Sequence, residues 1–230
     1  MKKNILLIGG SHGIGLEIVT LLKDSHNLFV ASRTADDIAT LPVTHIPFDV
    51  SKDELNLSQL PEELHGFVYC PGSINLKPIK MMDLEAFRAD MEINFFSLVK
   101  TVKEVLPKMA ENSSIVFFST VAVAMGMPFH TSVSAAKGAI EGFSKALAAE
   151  YTPRIRVNVI APSLVDTPLA SRLLSNDRKK EMMAERHPLK RVGTAQDIAH
   201  MAVFLLKEDS GWMTGKVLGV DGGMSSLNIS

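Results

Sequence analysis

The sequence predicts one α/β domain, a parallel sheet covered by helices on both faces. Three observations lead there. Short, continuous apolar runs (Ile5–Ile8, Leu28–Ala31, Gly66–Cys70, Ile115–Ser119) recur without polar alternation, as strands buried on both faces do. Segments with helical apolar spacing separate them, and such alternation of strand and helix favours parallel pairing. No repeat, low-complexity run or linker breaks the pattern, so residues 1–230 form a single domain large enough for a sizeable core.

Composition narrows the function classes. A formal net charge of -1 gives no electrostatic reason to expect nucleic acid or an anionic membrane surface. The single cysteine, Cys70, excludes an internal disulfide and suits a reducing compartment. Lys2 and Lys3 precede an apolar run as in a signal peptide, but that run stops at Gly9-Gly10 and is too short for one. No segment approaches the roughly 20 apolar residues of a membrane span. The expectation is a cytoplasmic protein.

Ile5–Ile8 is the first strand, and Gly9-x-x-x-Gly13-x-Gly15 follows at once. Leu16, Ile18, Val19, Leu21 and Leu22 then give a helix its apolar face. Glycines here let the backbone turn tightly and approach a pyrophosphate, which sits on the helix's first N–H groups. Gly9, Ser11, His12, Gly13, Ile14 and Gly15 are therefore candidate cofactor contacts, the plainer alternative being an ordinary strand-to-helix turn. The second strand, Leu28–Ala31, ends in Ser32-Arg33-Thr34. An acid there would hold the 2′-hydroxyl of NAD, whereas Arg33 suits the 2′-phosphate of NADP. The alternative for Arg33 is a solvated cation. NADP(H) is expected.

His45–Phe48 is a third strand, and Asp49 after it reads as the N-cap of a following helix. Gly66–Cys70 is the fourth, leading into Cys70-Pro71-Gly72. Cys70 reads as a small buried filler, since no His or Lys neighbours it in sequence. Asp83 to Met109 is one long helical pattern with Asn94 in its middle, an awkward place for a residue of low helix propensity. Ile115–Ser119 is a strand, followed by a loop rich in Met, Gly and Pro and a helix opening near Thr131. Arg154–Ile160 is a further strand. Residues 168–190 are polar and read as a substrate lid, Thr194–Lys207 is an amphipathic helix, and Gly215–Gly223 ends the sheet.

On the glycine turn, Asp49-Val50, Asn94, Lys137 and Asp221-Gly222-Gly223, essentially the whole chain resembles the short-chain dehydrogenase/reductase family, especially its β-ketoacyl carrier-protein reductase branch. The resemblance implies a Rossmann fold and hydride transfer between NADP(H) and a carbonyl or alcohol. It also implies roles: Arg33 and His12 for the 2′-phosphate, Asp49 and Val50 for adenine, Pro71, Gly72 and Lys137 for the ribose. Pro162, Val165 and Thr167 would meet the nicotinamide, and Asn94 would carry a water toward Lys137. Four departures stand out. The family's catalytic Tyr, four residues before the Lys, is Val133 here, and its Ser falls on Thr120. Pro-Gly of the family is Pro162-Ser163, and its Asn-Asn-Ala-Gly is Tyr69-Cys70-Pro71-Gly72.

Val133 has no polar atom, whereas Thr120 keeps a hydroxyl on a stiffer side chain. A positioned general acid is worth about 10²–10⁴ in rate. His130 is the sharpest substitute donor: it precedes Lys137 by seven residues, the spacing at which the family's enoyl-reductase branch places its Tyr, and imidazole transfers protons at neutral pH. The alternatives are a bound water, or no donor at all with His130 an ordinary loop residue. Two functions follow: an NADP(H)-dependent oxidoreductase with an altered site, or a catalytically silent NADP-binding relative that works as a partner subunit. Met125, Met127, Met182 and Met183 would line an apolar pocket for an acyl or aromatic substrate, or fill core. The small residues Ala135, Ala139, Gly142 and Ala146 let another helix approach, pointing to a homodimer or homotetramer, or else pack on the chain's own sheet. No metal site is expected.

Overall fold

The computed structural model describes residues 2–228. Seven parallel strands form one sheet in the order β3-β2-β1-β4-β5-β6-β9. They are β1 (Asn4–Ile8), β2 (Asn27–Ser32), β3 (Val43–Pro47), β4 (Leu64–Tyr69), β5 (Met109–Phe118), β6 (Ile155–Pro162) and β9 (Val217–Val220). A two-residue ladder joins β7 (Val165–Asp166) to β8 (Gly193–Thr194). The strand order reverses between β1 and β4, and in such sheets ligands bind at the carboxyl ends of the strands beside that reversal.

Both faces of the sheet are buried, as the unbroken apolar runs require. Ile5 and Leu7 join one cluster, with Ile18 and Val19 of α1 (Gly13–Leu22) and Ile198 and Ala202 of α7 (Ala195–Leu206). Leu6 and Ile8 point the other way, toward Leu98 and Val102 of α3 (Ser97–Val105) and Ile140 and Leu147 of α5 (Thr131–Tyr151). Alternate residues of one strand thus hold helices on opposite faces. α7 starts at a capping box, in which Thr194 and Asp197 satisfy each other's backbone N–H groups.

Several boundaries differ from the sequence expectation. The single helix over 83–109 is instead α2 (Leu84–Met91), a π-helical turn at Glu92–Phe96, then α3, with Met109 already opening β5. Asn94 is the cause: its side chain donates to the Asp90 carbonyl at 2.8 Å, taking an acceptor of the helix ladder. Asp49 opens a turn and not a helix; its carboxylate accepts from Ser51 N at 3.0 Å. The lid carries α6 (Asp177–Glu185) but no strand, and the last strand is shorter than Gly215–Gly223. The small-residue stripe does not pack on the sheet: Ala135, Gly142 and Ala146 are exposed.

Candidate active site

The carboxyl ends of β1, β4, β5 and β6 converge on a cavity of about 250 Å³, closed on one side by the lid. Strand register sets its upper rim. Ser119 N donates to Ile160 O at 2.8 Å and Val121 N to Pro162 O at 3.0 Å, which places Thr120 beside the Pro162-Ser163 turn. The cavity gathers Ile14, Gly72, Thr120, His130, Lys137, Pro162, Val165 and Thr167 from six separate stretches of sequence. Gly9, Ser11, His12, Gly13, Gly15, Arg33, Asp49, Val50, Pro71 and Asn94 lie outside it. The glycine turn among them reaches it through Gly13, which lies against Thr167.

Lys137 is the cavity's buried cation, Arg186 at its edge being exposed. Its Nζ donates to the Phe118 carbonyl at 3.0 Å, and burial pulls its pKa down to about 8. A Cβ at Gly72 would stand 3.3 Å from that Nζ and 3.1 Å from Asn94 Oδ1, so any larger residue would push on both polar groups. Cys70 also borders the cavity, and burial pushes its thiol up to about 12 despite the nearby lysine, which fits a filler and not a nucleophile.

Behind Asn94 lies a polar cluster that sequence reasoning missed. Asp90 is fully buried (0% exposed) and accepts from Ser73 Oγ at 2.5 Å, Asn75 Nδ2 at 2.8 Å and Ser132 Oγ. Asn94 Nδ2 reaches the same Ser73 hydroxyl at 2.9 Å. One carboxylate on α2 therefore ties that helix to the loop after β4 and to the first turn of α5. The four-residue spacing of Asp90 and Asn94 puts both on one helix face, a signal available in the sequence.

Val133 forms an apolar part of the wall and is 5% exposed. The neighbouring hydroxyls do not replace it: Ser132 is bound to Asp90, and Ser134 donates to the Ala122 carbonyl at 3.3 Å. Thr120 lines the cavity while its Oγ1 accepts from Ala122 N at 3.3 Å. His130 lines it too, half-buried, with Nδ1 2.7 Å from the Pro128 carbonyl. Of the methionines, Met127 and Met183 reach the cavity, joined by Met224; Met125 and Met182 are exposed and do not. The lid also contributes His187, whose ring lies between the Met183 carbonyl (2.8 Å) and Ser163 Oγ (2.9 Å).

The surroundings fit a dinucleotide. A Cβ at Gly15 would sit 2.3 Å from the Gly9 carbonyl, so the turn closes only on glycine. No acid stands in the first turn of α1 and no side chain caps it, which leaves its N–H groups for an anion. Arg33 is exposed at the end of β2, while His12 faces Asp37 at 2.6 Å. Among the described residues no cluster of metal-binding side chains exists, and no helix is long and apolar enough to cross a membrane.

Sheet order, glycine turn and lysine-bearing cavity together define a single-domain Rossmann-type α/β protein. Residues 11–225 match the family described as Enoyl-(Acyl carrier protein) reductase. The chain belongs to the short-chain dehydrogenase/reductase family, a family of oxidoreductases. It is 32% identical to the 3-oxoacyl-(acyl-carrier-protein) reductase FabG of Chlamydia muridarum over 245 aligned positions, 98% of each sequence. It is 35% identical to a protein named inactive 2-(S)-hydroxypropyl-CoM dehydrogenase 2 of Xanthobacter autotrophicus, over 71% of this chain and 74% of that one. The ligand-free aldohexose dehydrogenase of Thermoplasma acidophilum superposes with a TM-score of 0.91 at 26% identity, covering 100% of this chain and 96% of the other.

Proposed function

We propose that this chain is an NADP(H)-dependent oxidoreductase that interconverts a carbonyl and an alcohol without using position 133 for proton transfer. The observation that carries the reading is Lys137, buried in the cavity with Asn94 across Gly72 and Thr120 on the same wall. A buried ammonium is costly to keep, and a cavity with no anionic ligand to bind would be more stable with an apolar residue there. The nicotinamide would supply or accept the hydride. Thr120 would orient the substrate oxygen and Lys137 would hold the ribose. Asn94 would order a water beside that lysine, and Pro162, Val165 and Thr167 would fix the nicotinamide. Arg33 and His12 would meet the 2′-phosphate, with Asp49 and Val50 at the adenine.

The apolar share of the lining supports an acyl or aromatic substrate: Ile74, Leu76, Met127, Leu169, Leu173 and Met183 give it a broad apolar wall. The exposed small-residue face of α5 supports a homodimer or homotetramer, and the lone reduced Cys70 a cytoplasmic location. A silent, NADP-binding partner subunit is the second reading. It is favoured by the apolar wall at Val133 and by the relative whose name calls it inactive.

The test is NADPH and NADH oxidation by the unmodified chain with ketones, β-ketoacyl thioesters and enones, beside Val133→Tyr. The oxidoreductase reading predicts turnover by the unmodified chain, with NADPH preferred. Turnover by the tyrosine variant alone would favour the silent subunit.

A further inference from the structure

Ser163 and His187 are paired at the cavity wall, and the role of the pair can be derived from its geometry. His187 is only 2% exposed. Its Nδ1 lies 2.8 Å from the Met183 carbonyl, and a carbonyl can only accept, so Nδ1 carries a proton. In the neutral ring Nε2 is then bare and aimed at Ser163 Oγ, 2.9 Å away, so the serine hydroxyl donates to it. A hydroxyl held on a general base, with the base's tautomer fixed by a third group, is the arrangement that activates an oxygen for proton transfer. Ser163 is half-buried and lines the cavity, and it follows Pro162, whose carbonyl holds Val121 N next to Thr120. His130 lacks this arrangement: its Nδ1 has a carbonyl, but no hydroxyl stands on its Nε2 among the described residues.

We propose that Ser163 is the proton-transfer group of this cavity and that His187 activates it, taking over the task that Val133 cannot perform. This rests on the oxidoreductase reading. In the oxidation direction the substrate hydroxyl gives its proton to Ser163 Oγ as Ser163 passes its own to His187 Nε2. The carbinol C–H bond breaks and its hydride goes to the oxidised nicotinamide, leaving a carbonyl and an imidazolium that returns its proton to water. Reduction runs the same steps backward. Ser163 is the catalytic residue; His187 acts through it as a positioning and activating residue.

Activation can be measured without knowing the substrate. An alkyl fluorophosphonate should form an Oγ–P bond at Ser163, expelling fluoride as the serine proton moves to Nε2, and peptide mass spectrometry would locate it. Labelling should vanish in His187→Gly, return when imidazole is added, and vanish in Ser163→Gly. NADPH binding by fluorescence should be unchanged in both variants, showing them folded. In turnover, Ser163→Gly should lower kcat about 10²-fold or more with little change in KM. Absence of label at Ser163, labelling that survives in His187→Gly, or full kcat in Ser163→Gly would each overturn the pair. Labelling as expected with no turnover on any carbonyl or alcohol would leave the activated serine standing and sink the oxidoreductase reading instead.

Discussion

Lys137 is held between the end of β5 and the loop after β4, its Nζ donating to the Phe118 carbonyl at 3.0 Å and facing Gly72. Its place four residues after Val133 was readable from the family pattern; that the cavity around it lowers its pKa to about 8 was not, because burial depends on Phe118, Gly72 and Cys70 arriving from other strands. The sign follows from linkage. The unfolded chain holds this proton up to about 10.5 and the folded chain only to about 8, so stability should rise with pH across that window. Replacing the ammonium by Lys137→Met should abolish the rise and stabilise the ligand-free protein near neutral pH by up to about 3 kcal/mol. Urea unfolding at pH 7, 8.5 and 10 measures both effects, and NADPH affinity should fall in the same variant. Ser163 and His187 are the opposite case. Ser163 could be noticed as a departure from glycine, but His187 lies in a polar lid whose fold no periodicity announces.

At the level of elements, β1, β4 and the end of β5 were readable because they are apolar on both faces, and α1 because its glycine turn must precede a helix. The stretch 83–109 was readable as helical but not as broken. A propensity argument sees Asn94 as awkward; the π turn arises only because its amide finds the Asp90 carbonyl and the Ser73 hydroxyl. Asp90 then fastens three elements at once. Asp90→Ala would strand the Ser73, Asn75 and Ser132 donors inside the protein, at about 1–3 kcal/mol for each that finds no water. The expected result is a lower urea midpoint together with weaker NADPH binding, since the loop carrying Gly72 loses its anchor. Asp90→Asn should fall between the variant and the parent. An unchanged midpoint in Asp90→Ala would mean that the cluster holds nothing together.

For the whole molecule, alternation of strand and helix was enough to give the sheet and its helical faces, and the cavity's position follows from the reversal of strand order between β1 and β4. Sequence could not choose between the two readings of the α5 stripe. Ala135, Gly142 and Ala146 face outward, and a Cβ at Gly142 would meet nothing within 4 Å. An association through this face should therefore be broken by Gly142→Arg, which places a charge where a second helix would approach, without disturbing the fold. Light scattering should report a smaller species at an unchanged melting temperature. A monomeric parent protein would instead show that the face is simply solvated.

Hydride transfer by a chain with valine at position 133 underlies both the oxidoreductase reading and the Ser163–His187 pair. The direct measurement incubates the unmodified protein with NADPH deuterated on the transferred C4 position and a panel of ketones and β-ketoacyl thioesters, followed by mass spectrometry of the alcohols formed. One deuterium on the carbinol carbon is the predicted result. Tight NADPH binding with no deuterated alcohol from the unmodified chain, while Val133→Tyr produces it, would contradict the account.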